Sequence, residues 1–264
     1  ESNTTGEHKA SSIKPNAYSI GICAPGVVHP TTKRVQSPPN LPGWVDVDLA
    51  AEMSAAVGCP VYVENDANAA ALAELHFGAG RGMQDFIYVT LGTGIGGGVV
   101  LDGKLYPGPN GEAGEIGHVV IDHHAVPASA ARAFRAGVLE ELAGNAGIVA
   151  RFLEISGRTD IRDVEAIGSL AAEGNDAARE VLEQTGVMIG IGLSSAFAVL
   201  GVNTAIIGGG ISRSEIIINS IQRTVKERSI PTIARNAKVV RAHFLNDAGL
   251  VGAAMLNRLS LPNS

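Results

Sequence analysis

A largely apolar segment, Phe86–Leu91, runs without a break into Gly92-Thr93-Gly94-Ile95-Gly96-Gly97-Gly98. Few folds accept such a junction. The aromatic and β-branched residues of the first half call for an extended, buried strand. The glycines that follow leave a turn with almost no side-chain bulk, open to close approach by another group. A second strand is predicted over residues 97–101, so the chain reverses at the turn. Asp102-Gly103 then gives a hairpin signal before a short strand over residues 104–106.

Strands alternate with helices along the rest of the chain. A strand over residues 18–22 leads into the turn Ala24-Pro25-Gly26, and the proline-rich residues 31–43 read as a loop. Asp46 or Asp48 can cap a helix that Gly58 ends. A strand over 61–63 precedes a helix over 65–77. Further helices are predicted over 147–155, 163–173, 176–200 and 248–259, and another starts at Ser214. Strands are predicted over 118–121, 204–207 and 238–242. This order implies α/β lobes with ligand loops at the carboxyl ends of strands. The expected division is an amino-terminal lobe over residues 1–84, with a flexible tail at 1–16, and a larger lobe over residues 85–246. A helix in residues 247–264 is expected to pack back onto the first lobe.

With 33 glycines, few aromatics and a formal charge of −6, the chain suits tight ligand loops and argues against a broad nucleic-acid surface. Cys23 and Cys59 form no metal or redox spacing, which favours a reducing, cytoplasmic location. No uninterrupted apolar run reaches membrane-spanning length; residues 187–202 are broken by glycines and serines. Neither nucleic acid nor membrane is an expected partner.

Asp66 is the first candidate for chemistry. At the opening of a helix, amide donors favour an ionised carboxylate. Such a group accepts a proton from a hydroxyl within hydrogen-bond reach, and Asn65 beside it can orient that hydroxyl. A plain helix cap would also place an Asn-Asp pair here. Around Thr93, small residues let amides face a di- or triphosphate, although the pattern is neither a dinucleotide fingerprint nor a P-loop. Gly208-Gly209-Gly210 offers a second close approach beside a nucleoside, or is a simple strand exit. Glu115 and His118 can bind adjacent sugar hydroxyls as acceptor and donor, or form a surface pair without a common target. Asp122, His123 and His124 read as a solvated loop. Glu140 and Glu141 open or extend a helix, with one of them able to reach a sugar pocket.

In order, Ala24-Pro25-Gly26, the run Glu64-Asn65-Asp66-Ala67-Asn68-Ala69, the glycine run after Leu91, Gly114-Glu115-Ile116-Gly117-His118, Leu139-Glu140 and the stretch Ile207 to Ser212 resemble the ROK family of sugar kinases and sugar-responsive repressors. The resemblance runs from about Tyr18 to the carboxyl end. It implies an actin-like, hexokinase- or ribonuclease H-like α/β architecture of two lobes around a central cleft. It further implies an ATP- and Mg2+-dependent kinase acting on the primary hydroxyl of a hexose, glucokinase-like or specific for N-acetylmannosamine or N-acetylglucosamine, and a homodimer. Asp66 resembles the family's general base. Asn65, Glu115 and His118 resemble its sugar-contacting set, and Glu140 a further sugar ligand. Gly26 would lie against the sugar, and Gly92, Thr93, Gly94, Gly96, Gly209 and Gly210 would approach the nucleotide.

The chain departs from the family pattern twice. Nothing before Tyr18 matches the family's Asp-x-Gly-x-Thr phosphate hairpin. The amino-terminal lobe is therefore expected to be incomplete, its first segment lost, supplied by another chain or outside this numbering. Many members also carry a Cys-x-Cys-Gly-x-x-Gly-Cys zinc loop where this chain has Ala131-Arg132-Ala133-Phe134-Arg135-Ala136-Gly137-Val138. No structural zinc is expected; packing of Phe134 and Val138 would hold the loop instead, or leave it poorly ordered. These departures motivate the alternative of a catalytically inactive sugar-binding regulator or sensor.

Overall fold

The computed structural model describes residues 19–36, 38, 41–127 and 129–260; the expected tail over residues 1–16 lies outside them. In chain order, β1 (Ile20–Ala24) is followed by β2 (Val27–Val28), β3 (Val35–Gln36), β4 (Asp46–Val47), α1 (Leu49–Val57), β5 (Val61–Asn65) and α2 (Asp66–Phe77). Then come β6 (Phe86–Leu91), β7 (Ile95–Leu101), β8 (Lys104–Leu105), α3 (Leu139–Ala143), α4 (Asn145–Ser156), α5 (Val164–Ala172) and α6 (Asp176–Leu200). The order closes with β9 (Thr204–Gly208), α7 (Glu215–Arg228), α8 (Pro231–Ala234), β10 (Lys238–Arg241) and α9 (Ala248–Ser260).

Two parallel pairings position the loops that matter. β1 pairs with β5, bringing Ala24 opposite Asn65 and hence the Pro25-Gly26 turn beside the start of α2. In the larger sheet, ordered β10-β9-β6-β7-β8, β6 pairs in parallel with β9 and Thr90 lies opposite Gly208. The glycine turn after β6 and the one after β9 therefore leave the sheet side by side at its carboxyl end, the usual place for a ligand in an open α/β sheet. The β7–β8 hairpin turns through Asp102 and Gly103, at φ 51° and 68°, the pair of positive values that a two-residue turn of this hand requires.

Apolar side chains gather in four clusters among the described residues. Val28, Val35, Val61 and Val63 form a small one with Ala24. A large one gathers Ile87, Val89 and Leu91 of β6 with Ile189, Leu193 and Phe197 of α6 and Ile217 and Ile221 of α7. Among the described residues α6 is the one helix long and apolar enough to cross a membrane, and these buried contacts make it the central core helix. α9 packs on β1, β5 and α2, where a Cβ on Gly252 would lie 1.8 Å from the Ala69 carbonyl oxygen. Only a hydrogen at that position permits so close an approach.

Three expectations change. The loop over residues 31–43 contains β3, which pairs antiparallel with both β2 and β4. The strand over residues 118–121 is replaced by a 3₁₀ turn, Ile116–His118, and a single bridge between Val120 and Val138. Of the strand predicted over residues 18–22, residue 18 lies outside the described residues, and the described strand runs over Ile20–Ala24 in register with β5.

Glu74 joins distant parts of this frame. Fully buried on α2, it accepts hydrogen bonds from the amides of Ala79 (2.7 Å), His243 (3.0 Å) and Phe244 (2.9 Å), the last two in the connection from β10 to α9. Glu74→Ala leaves three amides without their shared acceptor and opens a gap at a fully buried position, and is expected to lower unfolding free energy by about 3 kcal/mol in urea titrations. A loss below about 1 kcal/mol would contradict the assignment of these bonds to the join.

Candidate active site

Asn65 sets the geometry of the amino-terminal half of the site. Its side-chain oxygen accepts from the amides of Ala67 and Asn68, at 2.9 and 3.0 Å, and so caps α2. Its side-chain amide donates to the carbonyl of Gly26 at 2.9 Å. Gly26 itself has φ +83°, a left-handed backbone that suits glycine and turns that carbonyl toward Asn65. The neighbouring Glu64 is buried and accepts from Asn65 N, from the Asn68 side-chain amide and from Lys33 Nζ, at 3.1, 3.2 and 3.2 Å. A carboxylate behind the turn thus fixes Asn65, and Lys33 draws the preceding loop over it.

Asp66 occupies the first helical position of α2, with its carboxylate accepting from the Ala67 amide at 2.8 Å and its outer side open to solvent. Desolvation by the surrounding protein raises its pKa above the ordinary aspartate value; the Ala67 and Asp66 amides and the Asn65 side chain oppose that rise.

The 3₁₀ turn explains how Glu115 and His118 reach one target. In a strand, residues three apart face opposite sides; in a 3₁₀ turn, positions i and i+3 eclipse. Here the Glu115 carboxylate and His118 Nδ1 lie 3.3 Å apart. Burial raises the Glu115 pKa, His118 opposes that rise, and the nearby Glu140 and Asp66 carboxylates add to it. Glu115 therefore lies within electrostatic reach of both Glu140 and Asp66. Packing agrees. A Cβ on Gly96 would touch Ala67 at 3.2 Å, and one on Gly117 would touch Glu140 Cβ at 3.3 Å.

Glu140 faces the glycine turn. One oxygen accepts from the Ile95 amide at 2.9 Å and the other from Arg135 at 2.8 Å. A Cβ on Gly94 would lie 2.3 Å from that carboxylate, so the bare backbone at Gly94 makes room for it. Next to the turn, a cleft of about 900 Å³ is lined by Gly92, Thr93, Asn145, Gly210 and the cations Arg179 and Arg213. Gly92, Thr93 and Gly210 thus border the cleft, while Gly94 packs on Glu140, Gly96 lies in β7 against α2, and Gly209 backs onto Leu91.

Asn145, Arg179, Arg213, Lys33 and Arg135 were not singled out by the sequence reading. Arg135 alone had a local signal, a cation just ahead of Glu140-Glu141. Asp122, His123 and His124 form an exposed turn, the His124 amide donating to Asp122 at 2.9 Å. Among the described residues no three His, Cys, Asp or Glu side chains gather as a metal site.

The raised Asp66 pKa has a consequence for stability. Between the ordinary aspartate value and the raised one, the folded protein holds a proton that the unfolded chain has lost. Stability therefore falls as pH rises through that window and stays lower above it. Asp66→Asn is expected to melt above the wild type at neutral pH, with the advantage vanishing as pH falls to the ordinary aspartate range. A melting difference that does not vary with pH would contradict a desolvated carboxylate.

The chain is similar in sequence and fold to known proteins. A glucokinase of Thermotoga maritima is 32% identical over 251 residues, covering 90% of this chain and 78% of that protein. An N-acetylmannosamine kinase of Salmonella heidelberg is 29% identical over 246 residues, covering 92% and 80%. The crystal structure of a ROK family glucokinase from Streptomyces griseus, in complex with glucose and AMPPNP, superposes with a TM-score of 0.79 at 31% identity, covering 93% of this chain and 83% of that one. With the ROK family pattern matched over residues 8–259 and the two-lobed α/β fold shared with these structures, the chain belongs to the ROK family, in the actin and hexokinase superfamily.

Proposed function

We propose that this protein is an ATP-dependent sugar kinase that transfers the γ-phosphoryl group of MgATP to the primary hydroxyl of a hexose, with glucose as the preferred acceptor. The observation that carries the reading is that Asp66 and Glu140 lie close enough to Glu115 to raise its pKa, while Glu140 also holds the Ile95 amide of the glycine turn whose Gly92 and Thr93 border the larger cleft. In this reading Asp66 takes the proton from the hydroxyl as its oxygen attacks the γ-phosphorus; the bond to the β–γ bridging oxygen breaks and ADP leaves. Amides around Thr93, with Arg179 and Arg213, oppose the phosphate charge. Mg2+ enters with the nucleotide as part of the substrate.

The acceptor hydroxyls meet groups with capacity to spare. Asn65 uses one N–H on Gly26, leaving the second for the sugar. Glu115 has an oxygen beyond the one facing His118 Nδ1, and His118 retains Nε2. Gly26 approaches the sugar, and Glu140 supplies a further acceptor lone pair. Gly92, Gly94, Gly96, Gly209 and Gly210 keep the nucleotide side free of bulk. The lobes over residues 1–84 with 247–264, and over residues 85–246, close on the substrates and exclude water. A cytoplasmic homodimer is the proposed working form. The 32% identity to a glucokinase supports glucose as the acceptor proposed first, with N-acetylated hexoses as the alternatives that the panel tests.

The test is hexose-dependent ADP release across a panel of glucose, N-acetylglucosamine and N-acetylmannosamine. Asp66→Asn is expected to lower kcat by about 10²–10⁴-fold while leaving hexose binding, measured by calorimetry, within about threefold. Wild-type kcat is expected to fall on acidification with a midpoint above the ordinary aspartate value, because the base must lose its proton to act. Unchanged turnover in Asp66→Asn would overturn the base; tight hexose binding with no ADP release by the wild type would overturn the kinase in favour of a sensor.

A further inference from the structure

The loop over residues 131–138 ends in a cation that touches two acids. Arg135 donates from Nη2 to Glu140 Oε1 at 2.8 Å and from Nε to Glu141 Oε1. The guanidinium and the Glu140 side chain are about one-quarter and one-fifth exposed, at 24% and 21%, so water screens this contact less than a surface pair. Beyond it, Glu140 Oε2 accepts from the Ile95 amide, and the Gly92 carbonyl accepts from Asn145 N at 3.3 Å. The ring of Phe134, one residue before Arg135, stacks on His118 at 6.4 Å between centroids and 14° between planes. One short segment therefore reaches both the imidazole and the glycine turn.

Zinc does not fit this loop. Residues 131–138 carry no thiolate, and Cys23 and Cys59 lie in β1 and after α1. The two carboxylates that face the segment are already bound by a guanidinium. The expectation that Phe134 and Val138 hold the loop is met in part: Val138 is buried and bridges Val120, whereas Phe134 is 65% exposed and packs on His118. Arg135 supplies the charge.

We infer that Arg135 is a positioning residue: its planar fork clamps Glu140 onto the Ile95 amide and so fixes the glycine turn, in a loop that holds itself without metal. Glu140 carries the consequence, because its two oxygens are committed in opposite directions, to the cation and to the turn. Without the guanidinium, Glu140 is free to rotate away from Gly94, and the Ile95 amide loses its acceptor. A lysine cannot span Glu140 and Glu141 with the same planar geometry. The functional part of this inference rests on the proposed kinase reading; the structural part does not.

The experiment compares wild type, Arg135→Ala and Arg135→Gln by hydrogen exchange of the Ile95 amide, hexose-dependent ADP release and metal content. In both variants Ile95 exchange is expected to speed up while amides of β6 stay protected. kcat is expected to fall about 10–100-fold, the range for losing a group that orients a ligand-binding side chain. Millimolar guanidinium chloride is expected to restore part of the loss in Arg135→Ala, a rescue that a merely structural role would not give. Wild type grown with added zinc is expected to carry far less than one zinc per chain. Unchanged Ile95 exchange in the folded variants, or stoichiometric zinc, would overturn the clamp. Faster Ile95 exchange in a wild type and variant pair that both lack kinase activity would uphold the clamp and overturn the kinase reading instead. Should Arg135→Ala not fold, Arg135→Gln, which keeps the bulk and loses the charge, carries the same comparison.

Discussion

Asn65 faces two ways, and the rest of the site follows from that. Its carbonyl oxygen terminates α2 by taking the amides of Ala67 and Asn68, while its amide holds the carbonyl of Gly26 across the β1–β5 pair. A capping bond of this kind contributes about 1 kcal/mol to a helix. Its larger effect here is directional. It fixes where the axis of α2 begins, and therefore where the Asp66 carboxylate points. Glu64 reinforces the arrangement from the buried side, and α9 closes over α2 so that the helix start cannot shift.

Crowding of like charge defines the cleft. Desolvation raises the proton affinity of Glu115, the Glu140 and Asp66 carboxylates add to that rise, His118 opposes it, and Arg135 pairs with Glu140. A chain selected for stability alone would not gather three carboxylates in this way. Such a cluster makes sense where a bound guest supplies hydroxyl donors to each acid in turn, and where one acid must be ready to accept a proton. Across the glycine turn the larger cleft carries mixed charge, Arg179 and Arg213 beside Asp163, Glu165 and Glu215.

Much of this was legible from the residues in order. Aromatic and β-branched composition located β6, the cap left open between Asp46 and Asp48 is Asp48 with Gly58 ending α1, and Asp102-Gly103 marked the β7–β8 hairpin. What escaped was set by backbone turns and side-chain contacts that composition does not show. The run after Gly117 has the composition of a strand, yet Gly114 at φ +92° and the bond from His118 N to the Glu115 carbonyl wind it into a 3₁₀ turn. β3 hides in a proline-rich stretch because its partners, β2 and β4, are equally short. Glu74 reads as an ordinary helix acid; only the return of residues 243 and 244 shows it to be a buried acceptor. Arg135 finds its partners five and six residues later, in a helix whose start brings both acids to one side.

The most direct measurement is a crystal structure of the protein with glucose and a non-hydrolysable ATP analogue. The account predicts the primary hydroxyl at hydrogen-bonding distance, about 2.6–3.2 Å, from the Asp66 carboxylate, with the terminal phosphate between that hydroxyl and the Thr93 turn. A hexose bound with its primary hydroxyl turned away from Asp66, or a nucleotide seated elsewhere than along the glycine turns, would contradict it.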